Sequence, residues 1–225
     1  MGANVQLKAA DGHSFEAYVA KPAGKPIGGI VLIQEIFGVN SHIQQVADMY
    51  ASEGYMVVAP PTMSRIEANV NLGYTEADMQ AGFKLKTAVD QLPNSPVMLD
   101  LQAALNLAKE AGKVAVIGYC WGGLLTWRSA ANLAGLSAAV PYYGGGIPNE
   151  SSLKTNCPVL AHFADEDSYI PLDSVEAFGK AHPEVEIHIY QAHHGFNCDQ
   201  RGSYNATAAK LAKERTLEFL KKHLS

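Results

Sequence analysis

Cys120 is the residue whose type and surroundings point most directly to chemistry. It lies in the hexapeptide GYCWGG (118–123), where an apolar run of strand length passes directly into a helical pattern. A nucleophile at the tip of so tight a turn needs small residues two positions away, and Gly118 and Gly122 meet that need. The N–H groups that open the helix favour a thiolate, and the N–H of Trp121 is placed to hold an oxyanion. The alternative is an inert buried cysteine in a closely packed turn, so Cys120 taken alone decides little.

A carboxylate and a histidine follow Cys120 in two later segments. The apolar run PVLAHFA leads into the acidic trio 165–167, and the run VEIHIY leads into His193 and His194. Open α/β sheets build their sites at the carboxyl ends of their parallel strands, so these loops can meet there. Nucleophile, acid and histidine also occur in an order that is known for catalytic triads. A solvated turn and ordinary loop polarity are the alternatives, but the joint occurrence favours a triad.

The elements that must position these residues follow from the hydrophobic pattern. The first twenty residues alternate as a hairpin, with a turn at 10–13. Continuous apolar runs predict strands at 28–34, 55–59, 113–118, 136–143, 158–164 and 185–190. Helical patterns occupy 41–53, 76–92, 96–112, 121–134, 172–181 and 204–223, the third opened by Pro96 in its first turn. This alternation predicts one α/β domain over residues 1–225, with a mostly parallel central sheet flanked by helices and preceded by an antiparallel hairpin.

Composition excludes several classes of function. With 17 basic and 22 acidic residues, the formal net charge is −5, which argues against nucleic acid or an anionic membrane as the main partner. Three cysteines far apart in sequence form neither a disulfide framework nor a zinc pair, and the histidines show no metal-ligand spacing. We therefore predict no metal and no cofactor. Because no secretory signal or 18-residue apolar run occurs, we predict a cytoplasmic protein.

Four motifs together resemble the dienelactone hydrolase family, which belongs to the α/β-hydrolase superfamily. They are QEIFGVN (34–40), GYCWGG (118–123), DSYIP (167–171) and HGF (194–196), and the resemblance extends from Gln34 to the last helix. The first two are specific in combination, because this family carries cysteine where most hydrolases of the fold have serine. The resemblance implies an α/β-hydrolase fold without a cap domain. It also implies Asp167 rather than Asp165 as the acid, and His194 rather than His193 as the base.

The activity that this resemblance implies is hydrolysis of a small anionic enol lactone in aromatic catabolism. Cys120 would attack the lactone carbonyl, and a thioester intermediate would then be cleaved by water. His194 would pair with the thiolate, and Asp167 would orient the imidazole. The N–H groups of Ile36 and Trp121 would hold the oxyanion.

Further substrate contacts are implied by the same resemblance. Glu35 would lie beside the cysteine and take the thiol proton once substrate arrives; the alternative is a salt bridge that stabilises the loop. The family binds the substrate carboxylate with arginines, for which Arg201 and Arg65 are the candidates. Tyr142 and Tyr143 would line the pocket or pack in the core.

Two other functions are compatible with the same residues. One is a broader carboxylesterase or thioesterase that uses the same triad. The other is a non-catalytic ligand-binding protein of the same fold, although such proteins usually lose a triad member or the nucleophile turn. No long insertion between a strand and a helix is available to form a cap, so the loop 60–75 is the candidate flap. We therefore expect a shallow pocket and a monomer. The expected binding partner is a small ester or lactone substrate.

Overall fold

Strands and helices alternate along the chain as the hydrophobic pattern predicts. The computed structural model describes residues 2–224, within which there are eight strands and six α-helices. They form two compact units, which divide between Ala115 and Val116. The predicted single domain over residues 1–225 stays a prediction.

The first unit contains four strands in the order β1, β2, β4, β3. Their bounds are Ala3–Lys8 (β1), Ser14–Ala20 (β2), Gly29–Ile33 (β3) and Met56–Ala59 (β4). β1 and β2 form the antiparallel hairpin, β2 also pairs with β4 in antiparallel fashion, and β4 is parallel to β3. Every residue of β3 and β4 is buried, as expected for strands covered on both faces.

Three helices accompany these strands, and their ends follow from local chemistry. They are α1 (Ser41–Ser52), α2 (Glu76–Asp90) and α3 (Val97–Ala108). The side chain of Asn40 caps α1, and Thr75 and Asp78 form a reciprocal capping box at the start of α2. Pro96 was predicted to lie in the first turn of α3, but the helix begins one residue later and Pro96 is its N-cap. A 3₁₀ turn over Lys109–Ala111 ends this helical segment.

The second unit has strand order β5, β6, β7, β8, with β5 beginning two residues before the division. The bounds are Val114–Tyr119 (β5), Ala138–Tyr142 (β6), Leu160–Ala164 (β7) and Glu186–Tyr190 (β8). The pairs β6–β7 and β7–β8 are parallel. The helices are α4 (Trp121–Asn132), α5 (Leu172–Ala181) and α6 (Ala206–Leu224), and a short 3₁₀ helix at Ile147–Glu150 was not predicted.

A buried polar cluster joins α6 to the strands of this second unit. His162 is fully buried, with Nδ1 2.8 Å from the hydroxyl of Tyr190 and Nε2 3.0 Å from the hydroxyl of Thr216. Burial lowers the pKa of His162 well below its ordinary value, and the charges of His188 and Arg215 act in the same direction. His162 is therefore a neutral structural residue.

The predicted fold class, a mixed α/β fold with mostly parallel pairing and an N-terminal hairpin, is confirmed. The continuous apolar run at 185–190 predicts a strand that is covered on both faces, and that expectation was wrong. Only Tyr190 is buried among the five residues of β8, because β8 is the last strand in its order and has a neighbouring strand on one side only. Within residues 2–224, no helix combines the length and apolarity needed to cross a membrane.

Candidate active site

The turn between β5 and α4 places Cys120 in a strained backbone conformation. Its φ is +56° and its ψ is −119°, and it is the N-cap residue of α4. Its own N–H donates to the carbonyl oxygen of Tyr142 at 3.0 Å, which ties the turn to the end of β6. A Cβ at Gly118 would overlap the carbonyl oxygen of Gly122, so this spacing requires glycine. An unfavourable conformation held by surrounding contacts is typical of a functional residue.

His194 lies in the loop after β8 and links the cysteine to a carboxylate. Its Nδ1–H donates to Oδ2 of Asp167 at 2.7 Å, and its ring also hydrogen-bonds with the side chain of Cys120. His194 is 7% exposed. Cys120, His194 and Asp167 therefore form a continuous chain of hydrogen bonds within the second unit.

The electrostatics of this chain favour the charged histidine. Burial by itself lowers the pKa of His194, but the charge of Cys120, hydrogen bonds with Asp167 and Cys120, and the charge of Asp167 outweigh it. Together they raise the pKa of His194 to about 10. At neutral pH the ring is an imidazolium between two groups that can carry negative charge.

Asp167 is held rigidly on its other side. Its side chain is fully buried, and Oδ1 accepts the N–H groups of Tyr169 at 2.8 Å and Ile170 at 3.2 Å. A carboxylate that accepts several hydrogen bonds is fixed in direction, so Oδ2 stays aimed at His194.

The neighbouring acid and histidine lie elsewhere. Asp165 accepts the backbone N–H of Ala192 at 3.1 Å. His193 is 63% exposed at its side chain and lies 3.3 Å from the carboxylate of Glu166. Of these two aspartates and two histidines, Asp167 and His194 are the pair that hydrogen-bond to each other.

Aromatic rings surround His194. The rings of Tyr143 and Tyr169 meet it edge-on, with centroids 5.1 Å and 4.9 Å away. Tyr143 is buried, whereas Tyr169 is 53% exposed and was not predicted as a site residue. Its position two residues after Asp167 is the signal that could have found it. Tyr142 packs in the interior, with its hydroxyl 2.6 Å from that of Thr216.

The two candidate arginines differ in their surroundings. Arg201 lies against the residue that follows His194, since a Cβ at Gly195 would be 2.8 Å from Cζ of Arg201. Arg65 instead donates to both carboxylate oxygens of Asp11 and of Asp100. This trio carries a net charge of −1, so we do not expect Arg65 to hold an anionic substrate.

Two further predicted site residues belong to the first unit, and the two remaining cysteines belong to the second. Glu35 and Ile36 follow β3 in the first unit and are buried, at 1% and 3% exposure. Of the remaining cysteines, Cys198 is buried, and burial raises the pKa of the Cys157 thiol to about 11. Cys157 is therefore protonated at neutral pH and a poor nucleophile.

A cysteine at a sharp strand-to-helix turn, followed by an acid and a histidine after later parallel strands, places the chain in the α/β-hydrolase class. The profile of the Dienelactone hydrolase family matches residues 15–224. The chain belongs to that family, and it is a hydrolase of ester or lactone bonds.

Individual relatives agree with this assignment. The carboxymethylenebutenolidases of Pseudomonas putida and Pseudomonas knackmussii are each 35% identical over 230 residues, which covers 96% of this chain and 94% of theirs. A crystal structure from Klebsiella pneumoniae, assigned as a dienelactone hydrolase, is 30% identical with a TM-score of 0.84, covering 98% of this chain and 99% of its own. A dienelactone hydrolase-like promiscuous phosphotriesterase from metagenomic libraries shares the fold at 21% identity, with a TM-score of 0.75 over 99% of this chain and 98% of its own.

Proposed function

We propose that this hydrolase opens a small anionic enol lactone, of the dienelactone type, through Cys120 and a thioester intermediate. The observation that carries the proposal is the hydrogen-bonded chain from Cys120 through His194 to Asp167, with the pKa of His194 at about 10. An imidazolium beside a thiol stabilises the thiolate, which is the nucleophilic form of cysteine.

The chemical steps follow from these charges. The sulfur attacks the lactone carbonyl carbon, and the electron pair of the C=O bond moves to oxygen. By resemblance to the family, the N–H groups of Ile36 and Trp121 hold this oxyanion. When it collapses, the ring C–O bond breaks and the enolate leaves with a proton from His194. The neutral imidazole then takes a proton from water, which attacks the thioester and releases the acid and Cys120.

Two charged residues complete the proposal. Arg201 binds the substrate carboxylate, since its guanidinium packs beside the His194 loop. Glu35 takes the thiol proton when substrate arrives and returns it to the sulfur of Cys120 when the thioester is cleaved. Its support is the family motif and its burial at the carboxyl end of β3, where α/β folds place their sites. We also propose that the enzyme acts in the cytoplasm as a monomer, in keeping with its reduced cysteines.

A broader carboxylesterase is the second candidate, because of Arg65. With that guanidinium held by two carboxylates, a substrate anion has one fewer partner than a paired-arginine site offers. A neutral ester would then be accepted nearly as well as an anionic lactone.

Steady-state kinetics with an anionic dienelactone and a neutral aryl ester tests both candidates. Cys120→Ala is expected to abolish turnover of both substrates while leaving the circular dichroism spectrum unchanged. Arg201→Ala is expected to raise KM for the lactone by about tenfold to a hundredfold, as loss of a charge-assisted hydrogen bond implies, without changing KM for the ester. Arg128→Ala is the control, because Arg128 pairs with Glu150 instead.

The outcomes separate the possibilities. Full activity of Cys120→Ala contradicts the cysteine mechanism. Equal efficiency on both substrates, with no effect of Arg201→Ala, favours the broader esterase.

A further inference from the structure

The segment Ile36–Gly38, which comes after β3, is held from two sides within the first unit. Ile36 and Phe37 are 3% and 2% exposed. Ile36 is the residue whose N–H we assign to the oxyanion, so any role of its supporting contacts in catalysis rests on the proposed function. A donor of this kind accelerates a reaction only if it is oriented before the charge develops.

The first contact comes from α2, at Gly82. Gly82 and Val89 are the two buried residues of this 15-residue helix. A Cβ at Gly82 would overlap the carbonyl oxygen of Ile36 and lie 3.1 Å from its Cγ1. Glycine weakens a helix interior relative to alanine, so a glycine here is explained by the close approach of the helix to the Ile36 backbone.

The second contact is a supporting strip, residues 70–74. The N–H of Leu72 donates to the carbonyl oxygen of Phe37 at 2.9 Å. Gly38 forms an antiparallel bridge with Asn71, and its φ of +85° suits glycine. The ring of Tyr74 meets the ring of Phe37 edge-on, with centroids 4.7 Å apart. The C-terminal part of the loop predicted as a flap is thus attached to the segment that carries Ile36.

We propose that Gly82 and the supporting strip are positioning elements for the oxyanion donor. They hold the Ile36 carbonyl and Phe37, which directly follow the Ile36 N–H, and so restrict the backbone rotation of Ile36 that would turn this N–H away from the transition state. Neither touches substrate in this role. Both act by preventing rotation or displacement of the backbone between β3 and α1. The proposal therefore predicts a loss in the chemical step without a loss in substrate binding.

Gly82→Ala is the direct test, measured with an ester or lactone that the wild-type enzyme hydrolyses. The new methyl group must displace the carbonyl of Ile36, and this shift turns the Ile36 N–H on the other side of the same Cα. Misplacement of one catalytic donor costs about a hundredfold in kcat. KM is expected to change less than twofold. Gly179→Ala is the matched control, since Gly179 also lies within a helix but its Cβ would meet only the flexible Cδ1 of Ile187, at 3.2 Å. Its kcat is expected to equal that of the wild type.

Tyr74→Ala is the second variant, and it tests the positioning role of the supporting strip even if Gly82→Ala fails to fold. It removes the ring that packs on Phe37 and is expected to lower kcat about tenfold with unchanged KM. Wild-type kcat in folded Gly82→Ala and in Tyr74→Ala overturns the proposal, as does a rise in KM with unchanged kcat. An active Cys120→Ala contradicts the proposed function instead, so the two failures are distinguishable.

Discussion

Replacing Asp167 with asparagine removes a buried negative charge and keeps the shape of the side chain. The amide oxygen can still accept the N–H groups of Tyr169 and Ile170. The amide nitrogen would then face Nδ1 of His194, where a carboxylate oxygen accepts at 2.7 Å in the native protein. Because the amide nitrogen donates to Nδ1, Nδ1 must be unprotonated in this variant. The variant thus favours a neutral imidazole whose proton is on Nε2, on the side of the Cys120 sulfur.

The size of the effect follows from the pKa of His194. A rise from 6.5 to about 10 corresponds to about 5 kcal/mol of preference for the imidazolium, of which Asp167 supplies part. A hydrogen bond to a charged group contributes about 1.5–3 kcal/mol, so Asp167→Asn is expected to lower that pKa by about one to two units. Because the base is then both weaker and in the wrong tautomer, kcat is expected to fall by about 10²–10⁴-fold.

The assay is kcat and kcat/KM from pH 6 to 11, together with an NMR titration of the His194 ring. Asp165→Asn is the matched control, because the one backbone N–H that Asp165 accepts can also bond to an amide oxygen. It is expected to behave as the wild type does. A kcat for Asp167→Asn within twofold of the wild type, with the same pH profile, would refute the role of Asp167 in orienting the base.

Three further outcomes are expected. Arg65→Ala leaves Asp100 buried without its cation and is expected to lower the free energy of unfolding in urea by about 3–5 kcal/mol, with KM for an anionic lactone unchanged; a large rise in KM would contradict that. Gly118→Ala forces a methyl group into the first turn of the next helix and is expected to cost about 1–3 kcal/mol in the same assay, which an unchanged midpoint would contradict. In Cys120→Ala the pKa of His194 is expected to fall below about 10, because the sulfur charge is the largest cause that raises it. An NMR titration of the wild type should show the His194 ring protonated at pH 8 and losing its proton as pH rises through about 10. Identical His194 titrations in the wild type and in Cys120→Ala would contradict the pairing of His194 with Cys120.

Local patterns predicted the elements of this protein well. The helix predicted at 172–181 has those bounds in the structure, and the other five agree to within four residues at each end. Such patterns depend on burial along one chain segment, which the sequence displays directly. They could not predict that Ile189 is 43% exposed, because coverage of β8 depends on the order of strands in the sheet.

The candidate site likewise has features that local sequence patterns predict and features that only the fold shows. The nucleophile turn and the strand-end loops are local features, and they predicted Cys120, an acid among residues 165–167, and His193 or His194. The family resemblance then favoured Asp167 and His194. The partners of Arg65 are not local, since Asp100 and Asp11 are 35 and 54 residues away in sequence. An arginine held by two carboxylates looks like any other arginine in a sequence, and only the fold shows its partners.

The cysteine mechanism is tested most directly by rapid-quench mass spectrometry during turnover of an anionic dienelactone. The expected result is a transient acyl adduct on the peptide that contains Cys120, at a rate that can support kcat, with Cys157 and Cys198 unmodified. His194→Ala should slow both formation and decay of that adduct. Turnover without any adduct on Cys120, or with the adduct on another residue, would contradict the mechanism.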